Sequence, residues 1–136
     1  MNSLTPILIA LLAATAFGVW HKFNTGRVKG GREHGHKLSE KDLKKPLGSR
    51  VTLLQFSSAF CTPCRATKTL IGATIEDMAD VVHIDLDAES NLDLVNRLEV
   101  KSTPTTIILN SKGFEVGRAV GAPSKAQILS AIQAVK

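Results

Sequence analysis

Residues 53–64 of this 136-residue chain have the sequence LLQFSSAFCTPC, and this stretch decides the fold. It overlaps Val51–Ser57 (VTLLQFS), a nearly continuous β-prone run that is typical of a strand covered on both faces. Cys61 and Cys64 follow, and Pro63 between them is a residue favoured in the first turn of a helix. The stretch therefore predicts a buried strand that leads directly into a helix with two thiols at its start.

These two thiols, the only cysteines of the chain, are the candidate reactive groups. Cys61 lies where the helix dipole and unpaired N–H groups stabilise a thiolate, so we expect it to be the nucleophile. Cys64 is one turn further on and can attack a mixed disulfide on Cys61, which releases the substrate. Arg65 adds a nearby positive charge that is expected to tune the thiols. A zinc half-site and inert core thiols share this spacing, but the lack of a second cysteine pair favours a redox dithiol.

Strand-like and helix-like segments alternate on both sides of this motif. Upstream, Ser39 and Asp42 predict a capped helix that continues to about Lys45. Downstream, the pattern predicts helix Cys61–Asp80, strand Val81–Leu86, a helix capped by Ser90 and ending at Leu98, a hairpin of Thr105–Asn110 with Glu115–Val120, and a helix capped by Ser124. Strand–helix–strand units followed by a hairpin imply an α/β fold with a mixed central sheet and helices on both faces.

The chain from about residue 38 to 136 resembles a thioredoxin-family domain. Four segments carry the resemblance: LLQFSSAFCTPC (53–64), VVHIDLDAESNLDLVNRLEV (81–100), STPT (102–105) and GRAVGAPSKAQILSAI (117–132). They occur in the family's order and spacing and cover nearly all of the globular part. The resemblance implies a thioredoxin fold, and together with the N-terminal segment the arrangement is similar to membrane-tethered thioredoxins of actinobacterial type.

The resemblance also implies roles for residues around the motif. It implies that the Thr103–Pro104 bond is cis and that this loop faces the cysteines, where the backbone of Thr103 can pair with an extended substrate. Gly121 matches a glycine that flanks the substrate groove, although a simple turn before the last helix is an alternative explanation. The residues expected to contact substrate are Phe60, Thr62, Pro63, Thr103, Pro104 and Gly121.

Three residues depart from the thioredoxin pattern. Phe60 replaces the usual tryptophan before the first cysteine and Thr62 replaces a glycine, changes that are expected to shift the reduction potential. Gln55 replaces a buried aspartate that exchanges a proton with the resolving cysteine in many thioredoxins, which an amide cannot do. His83 stands where they carry a lysine, and it is either a hydrogen-bonded structural residue or a proton relay near Cys64.

An uncharged segment precedes the globular part. Leu4–Trp20 is apolar and, at about 1.5 Å per helical residue, long enough to cross most of a bilayer's hydrocarbon core of roughly 30 Å. Trp20 at its end suits the membrane interface. A cleaved signal peptide is the alternative, because Ala14-Thr15-Ala16 resembles a cleavage site, but residues 1–3 lack the usual positive charge. We therefore interpret residues 1–20 as a transmembrane anchor.

The net charge of +5 comes from the segment that follows. Residues 21–50 hold nine basic and three acidic side chains, whereas residues 51–136 hold eight basic and nine acidic ones. Such a nearly neutral globular part gives no reason to expect nucleic-acid binding. With 43% hydrophobic residues, the chain is also neither collagen-like nor a disordered protein of low hydrophobicity.

Residues 21–37 are rich in glycine and charge, which is typical of a flexible linker. The expected organisation is thus an anchor at 1–20, a basic linker at 21–37 and a thioredoxin-like domain at 38–136. His34 and His36 in the linker supply only two of the four ligands that zinc normally takes, so no metal is expected.

The positive charges after the apolar segment predict a single-pass cell-membrane protein whose domain lies on the cytoplasmic side. The expected function is a thiol–disulfide oxidoreductase that acts on protein disulfides without a cofactor, as a reductase supplied by an electron-donor reductase or another redox partner. Three alternatives stay open: an extracytoplasmic disulfide oxidase, a cytochrome-maturation reductase, and a non-catalytic thioredoxin-like binding module. Retention of both cysteines argues against the binding module.

Overall fold

A computed structural model describes residues 4–24, 28–30 and 36–136 of the chain. Its strands are β1 (Val28–Gly30), β2 (Val51–Ser57), β3 (Val81–Asp87), β4 (Thr105–Asn110) and β5 (Glu115–Val120). Its helices are α1 (Leu4–Asn24), α2 (Glu40–Leu43), α3 (Thr62–Ile75), α4 (Leu92–Arg97) and α5 (Lys125–Ala134), with a 3₁₀ turn at Glu89–Asn91. The predicted strands are all present at nearly their predicted bounds.

The strands form one mixed sheet in the order β1-β5-β4-β2-β3. β2 runs parallel to β3 and antiparallel to β4, and β4 forms an antiparallel hairpin with β5. A parallel pair needs a crossover connection, which α3 supplies between β2 and β3. The predicted α/β fold, a mixed central sheet with helices on both faces, is confirmed.

Two hydrophobic clusters lie on opposite faces of this sheet. The cluster under α2 and α4 contains strand residues Leu54, Phe56, Ile84, Ile107 and Leu109 and helix residues Leu43 and Leu94. The cluster under α3 and α5 contains strand residues Val51, Leu53, Val81 and Ile108 and helix residues Ile71, Ile128 and Ile132. β2 contributes to both clusters, so it is buried on both faces along nearly its whole length.

Two of the predicted helix caps are confirmed. Ser39 caps α2 in a capping box with Asp42, and Ser124 caps α5 in a capping box with Gln127. α2 ends at Leu43, earlier than predicted, because Lys44 has a left-handed backbone with φ of +54°.

Two predictions about the other helices are wrong. The helix predicted to continue to Asp80 ends at Ile75, where the Met78 N–H donates to the Ile75 carbonyl at 2.8 Å and closes a turn. Ser90 does not cap α4, because it lies inside the 3₁₀ turn and its hydroxyl donates to Asp87 at 2.6 Å. The Asp87 carboxylate also accepts the Glu89 N–H at 3.3 Å, so it contacts the start of the 3₁₀ turn, whose N-cap residue is Ala88.

Helix α1 is exposed along its whole length, and within the described residues it is the one helix long and apolar enough to cross a membrane. It continues past Trp20 to Asn24. β1, which pairs with β5, also falls inside the range 21–37 that was predicted as a linker. The division into 1–20, 21–37 and 38–136 stays a prediction.

Candidate active site

Cys61 and Cys64 lie at the start of α3, directly after β2, as the motif predicts. Cys61 is the N-cap residue, and its sulfur accepts the backbone N–H of Cys64 at 3.2 Å. The two sulfurs form a disulfide, with the Cα atoms 5.2 Å apart. Cys61 is partly exposed, whereas Cys64 is only 2% exposed. An incoming thiol or disulfide therefore reaches Cys61 first, and Cys64 is covered by the protein.

The surface next to Cys61 is formed by the other residues of the motif. The Phe60 side chain is 97% exposed, and Thr62 and Pro63 are exposed in the first turn of α3. The Arg65 guanidinium lies on the same exposed turn and donates to the Thr62 hydroxyl at 3.4 Å. The entrance to the disulfide thus combines a large apolar ring with a nearby positive charge.

The Thr103–Pro104 peptide bond is cis, as the resemblance implies. The Thr103 hydroxyl lies 3.2 Å from the hydroxyl of Ser58, which belongs to the loop leading to Cys61. On the other side, the Gly121 N–H donates to the Pro104 carbonyl at 2.8 Å. Gly121 has φ of +90°, a conformation that strains a residue with a Cβ atom. The structure therefore places the proline loop between the cysteine loop and the Gly121 turn.

Gln55 is completely buried on the face of β2 that is covered by α3. Its Nε2 group donates to the backbone carbonyl of Cys64 at 2.9 Å and to the Ser57 hydroxyl at 3.0 Å. Because a carbonyl can only accept, the contact with Cys64 fixes which end of the amide is the NH₂ group. The Oε1 atom then accepts a hydrogen bond from Nε2 of His83 at 3.0 Å. Gln55 on β2 thus connects the Cys64 segment to β3.

The network continues from Ser57 to an ion pair near the surface. The Ser57 hydroxyl donates to one oxygen of Asp85 at 2.6 Å, and Lys68 Nζ lies 3.1 Å from the other oxygen. Neither Ser57 nor Asp85 was predicted as a site residue. A signal was present in the sequence, because positions 55 and 57 and positions 83 and 85 alternate onto one face of neighbouring strands.

The pKa of His83 is lowered from its ordinary value of 6.5, mainly because burial disfavours the charged imidazolium. The carboxylate of Asp85 opposes this shift, and the cations Lys68 and Lys45 add to it. His83 is therefore neutral at pH 7. Since its Nε2 carries the proton donated to Gln55, Nδ1 is the atom that gains a proton at lower pH. His83 thus lies one side chain away from the Cys64 segment, in hydrogen-bond contact with Gln55.

Within residues 4–24, 28–30 and 36–136, no group of three or more His, Cys, Asp or Glu side chains is arranged to hold a metal ion. Of the two linker histidines considered as ligands, His36 is exposed and His34 lies outside the described residues.

In a comparison with known protein families, residues 35–134 match the thioredoxin family model. Thioredoxin-2 of Saccharomyces cerevisiae is 33% identical over 84 residues, which cover 62% of this chain and 80% of that protein. The thioredoxin of Pongo abelii is 29% identical over 75 residues, which cover 55% and 71% of the two chains.

Solved structures give the same picture. Thioredoxin F from spinach chloroplast superposes with a TM-score of 0.57 at 31% identity, covering 64% of this chain and 77% of its own. Fasciola hepatica thioredoxin superposes with a TM-score of 0.58 at 24% identity, and the match covers 65% of this chain and 84% of that protein. At this identity it shows the likeness of fold. Helix α1 precedes the residues that the family model matches.

Proposed function

Since this chain belongs to the thioredoxin family and is a thiol–disulfide oxidoreductase, we propose that it reduces disulfides of protein substrates while α1 anchors it in a membrane. The observation that carries the proposal is the unequal exposure of two cysteines within one disulfide at a helix N-terminus. A reductase needs one thiol that a substrate can reach and a second, protected thiol that ends the reaction.

In the proposed reaction, the Cys61 thiolate attacks one sulfur of a substrate disulfide. A bond forms between Cys61 and that sulfur, and the other substrate sulfur leaves as a thiolate. The Cys64 thiolate then attacks Cys61 Sγ, which releases the second substrate thiolate and forms the Cys61–Cys64 disulfide seen in the structure. Two electrons pass from the protein to the substrate, so a redox partner, such as a reductase, must reduce the pair again.

The substrate is proposed to lie across the loops next to Cys61. The exposed ring of Phe60 offers apolar contact, and an extended segment can pair with the backbone of Thr103. The remaining contacts are assigned to Thr62 and Pro63, which are exposed, to Gly121, which is partly exposed, and to Pro104, which is buried and accepts the Gly121 N–H.

Two of the proposed tuning residues, Gln55 and His83, act on the second step, and the third, Arg65, acts on the first. Cys64 must lose its proton before it attacks, and a thiol that is 2% exposed holds its proton more tightly. Gln55 cannot accept a proton, so the proton leaves to water, to the leaving thiolate or through the neighbourhood of His83. Arg65, on the exposed first turn, is proposed to favour the thiolate of Cys61 by its charge.

A disulfide reduction assay tests the activity. The full chain in detergent, with dithiothreitol as electron donor, should accelerate the reduction of insulin above the rate with dithiothreitol alone. Cys61→Ser should return the rate to that background, whereas Ser111→Ala, an exposed change outside the site, should leave it unchanged. A wild-type rate equal to background would instead favour the non-catalytic binding module.

The membrane face decides between a cytoplasmic reductase and the extracytoplasmic alternatives. We propose that the domain is cytoplasmic, because basic residues follow the apolar helix. An alkaline phosphatase fused after Lys136, which is active only outside the cytoplasm, should then be inactive. Strong phosphatase activity would place the domain outside and favour an oxidase or a cytochrome-maturation reductase. Release of a soluble protein cut after Ala16 would show a signal peptide.

A further inference from the structure

The short strand β1 determines where the chain from α1 joins the domain. β1 runs antiparallel to β5, with Val28 opposite Ala119 and Gly30 opposite Gly117. The chain therefore reaches β5 near its C-terminal end and then passes along it, towards the bridge that Lys37 forms with Phe114. The first contact with the sheet is thus at the end of β5 that leads into the Gly121 turn.

Val28 lies in the same row of paired residues across the sheet as Gln55, the buried residue that contacts the Cys64 segment. Val28 is opposite Ala119, Ala119 is opposite Thr106, and Thr106 is opposite Gln55. Three strand spacings place the backbones of Val28 and Gln55 about 14 Å apart. Gln55 in turn contacts the carbonyl of Cys64. The chain from α1 therefore joins the sheet level with the disulfide.

The connection from α1 to this point is short. α1 ends at Asn24, four residues before Val28, and four extended residues span at most about 14 Å. Asn24 consequently lies within roughly 30 Å of Gln55. Without the pairing of β1, the connection would extend to Lys37, a span of up to about 45 Å, and would end at the opposite end of β5.

We propose that β1 is a latch that holds the exchange site close to the membrane surface and so selects its substrates. The substrate class is cysteine pairs of membrane proteins that lie within roughly 30 Å of the bilayer surface. The exposed side chains of Phe60 and Val120 are at this same end of the domain and provide apolar contacts for such substrates. The inference rests on the proposed function and on α1 as the anchor.

Two insertions of the same sequence test the latch in the full chain reconstituted into liposomes. A flexible Gly-Ser segment of about ten residues is inserted either after Asn24, before β1, or after Gly30, behind β1. If β1 stays paired, only the first insertion lengthens the connection between the membrane and the site. If β1 does not hold the chain, both insertions lengthen the same tether equally.

The readout is the rate of reduction of one disulfide-linked peptide, presented free in solution or coupled to a lipid by a short spacer. The wild type should reduce the lipid-coupled peptide faster than the free one. The insertion after Asn24 should lower the lipid-coupled rate roughly sixfold, because effective concentration falls as about the −3/2 power of tether length. The insertion after Gly30 should leave that rate within about twofold of the wild type.

A second variant removes the pairing without lengthening the chain. The variant Lys29→Pro/Gly30→Pro removes two successive backbone N–H groups from β1. Successive N–H groups of a strand point in opposite directions, so one of the two faces β5, and its removal breaks the pairing. It should lower the lipid-coupled rate and leave the free-peptide rate unchanged, which also shows that the domain is folded.

Equal effects of the two insertions, or no preference of the wild type for the lipid-coupled peptide, would overturn the latch. Failure of the proposed function looks different, because then no form of the protein reduces even the free peptide.

Discussion

The two faces of the central sheet differ in what their buried residues do. The face under α2 and α4 is mainly apolar, and its buried hydroxyls have local partners: Thr52 accepts from the Gly48 N–H, and Thr105 donates to the Ser102 carbonyl. The face under α3 carries the Gln55 network, and within the described residues the hydroxyls of Thr67 and Thr106 lack a hydrogen-bond partner.

This difference has an energetic meaning. Buried polar groups contribute little net stability and are costly when unpaired, whereas buried apolar side chains contribute strongly. The α2/α4 face is therefore expected to supply most of the stability near the site. The α3 face is expected to contribute less, because it carries the polar network that contacts the Cys64 segment.

The largest predicted effect compares two neighbours on β2 whose side chains point to opposite faces. Phe56→Ala removes a fully buried ring from the α2/α4 face and should lower the free energy of unfolding by about 3–5 kcal/mol. Gln55→Ala on the other face should cost less, about 1–3 kcal/mol, which is the usual cost of leaving a buried partner such as the Cys64 carbonyl unpaired. Urea unfolding of the full chain in detergent measures both.

The kinetic effects should rank in the opposite order. The folded fraction of Phe56→Ala should exchange disulfides at the wild-type rate, whereas Gln55→Ala should alter the resolving step. If Phe56→Ala and Gln55→Ala lost equal stability and changed the rate of disulfide exchange equally, the proposed difference between the two faces would be wrong.

A smaller effect is expected from Gln55→Asp. A carboxyl group beside Cys64 can take the proton of the buried thiol, so decay of the mixed disulfide at pH 7 should become several-fold faster. The substitution should also cost about 2 kcal/mol of stability, because a carboxylate cannot donate to the Cys64 carbonyl. Rapid quenching at different times follows the mixed disulfide.

Gln55→Asn is the matched control, since it shortens the side chain equally but keeps the amide. His83→Ala tests the competing route for the proton. A slower resolving step in this variant would show that His83 takes part in removing the proton from Cys64. If neither Gln55→Asp nor His83→Ala changes the resolving rate, proton loss from Cys64 does not limit the reaction.

The smallest effect is the pH dependence contributed by His83. Its folded pKa lies below the unfolded value of 6.5, so the unfolded chain binds the proton more readily in the window just below 6.5. Stability should be fully present above that pH and should fall as pH decreases through the window. The pKa of Asp42 is lowered from 3.8 to about 2, so its contribution is lost only in a more acidic range.

His83→Gln should flatten this dependence when the urea midpoint is measured on both sides of pH 6.5. A wild-type protein whose midpoint rises as pH decreases through the same window would show that the imidazolium is stabilised in the folded state, contrary to its burial.

Much of the fold could be predicted because the secondary structure that the local sequence favours is the one that the folded domain contains. The β-prone run of β2 and the capping box at Ser39 each specify an element without knowledge of its neighbours. The end of α3 was missed because Met78 continues an apolar pattern although its N–H closes a turn on Ile75.

Two further features, β1 and the contact of Asp85 with the site, were not predicted, because the partner of a strand and its register follow from the assembled sheet and the alternation of polar residues gives only part of this information. β1 is three residues long in a glycine-rich segment, and it becomes a strand only because the edge of β5 is available. Asp85 joins the site because the parallel register of β2 and β3 places it beside Gln55 and within reach of Ser57.

The most direct test of the account is the trapping of mixed disulfides by single-cysteine variants. The full chain in detergent is incubated with a disulfide-linked protein such as insulin, quenched with acid and examined by mass spectrometry. Cys64→Ser should accumulate a covalent adduct through Cys61, and Cys61→Ser should accumulate on the order of tenfold less, because Cys64 is covered. Equal trapping by the two variants would contradict the roles assigned to the exposed and the buried cysteine.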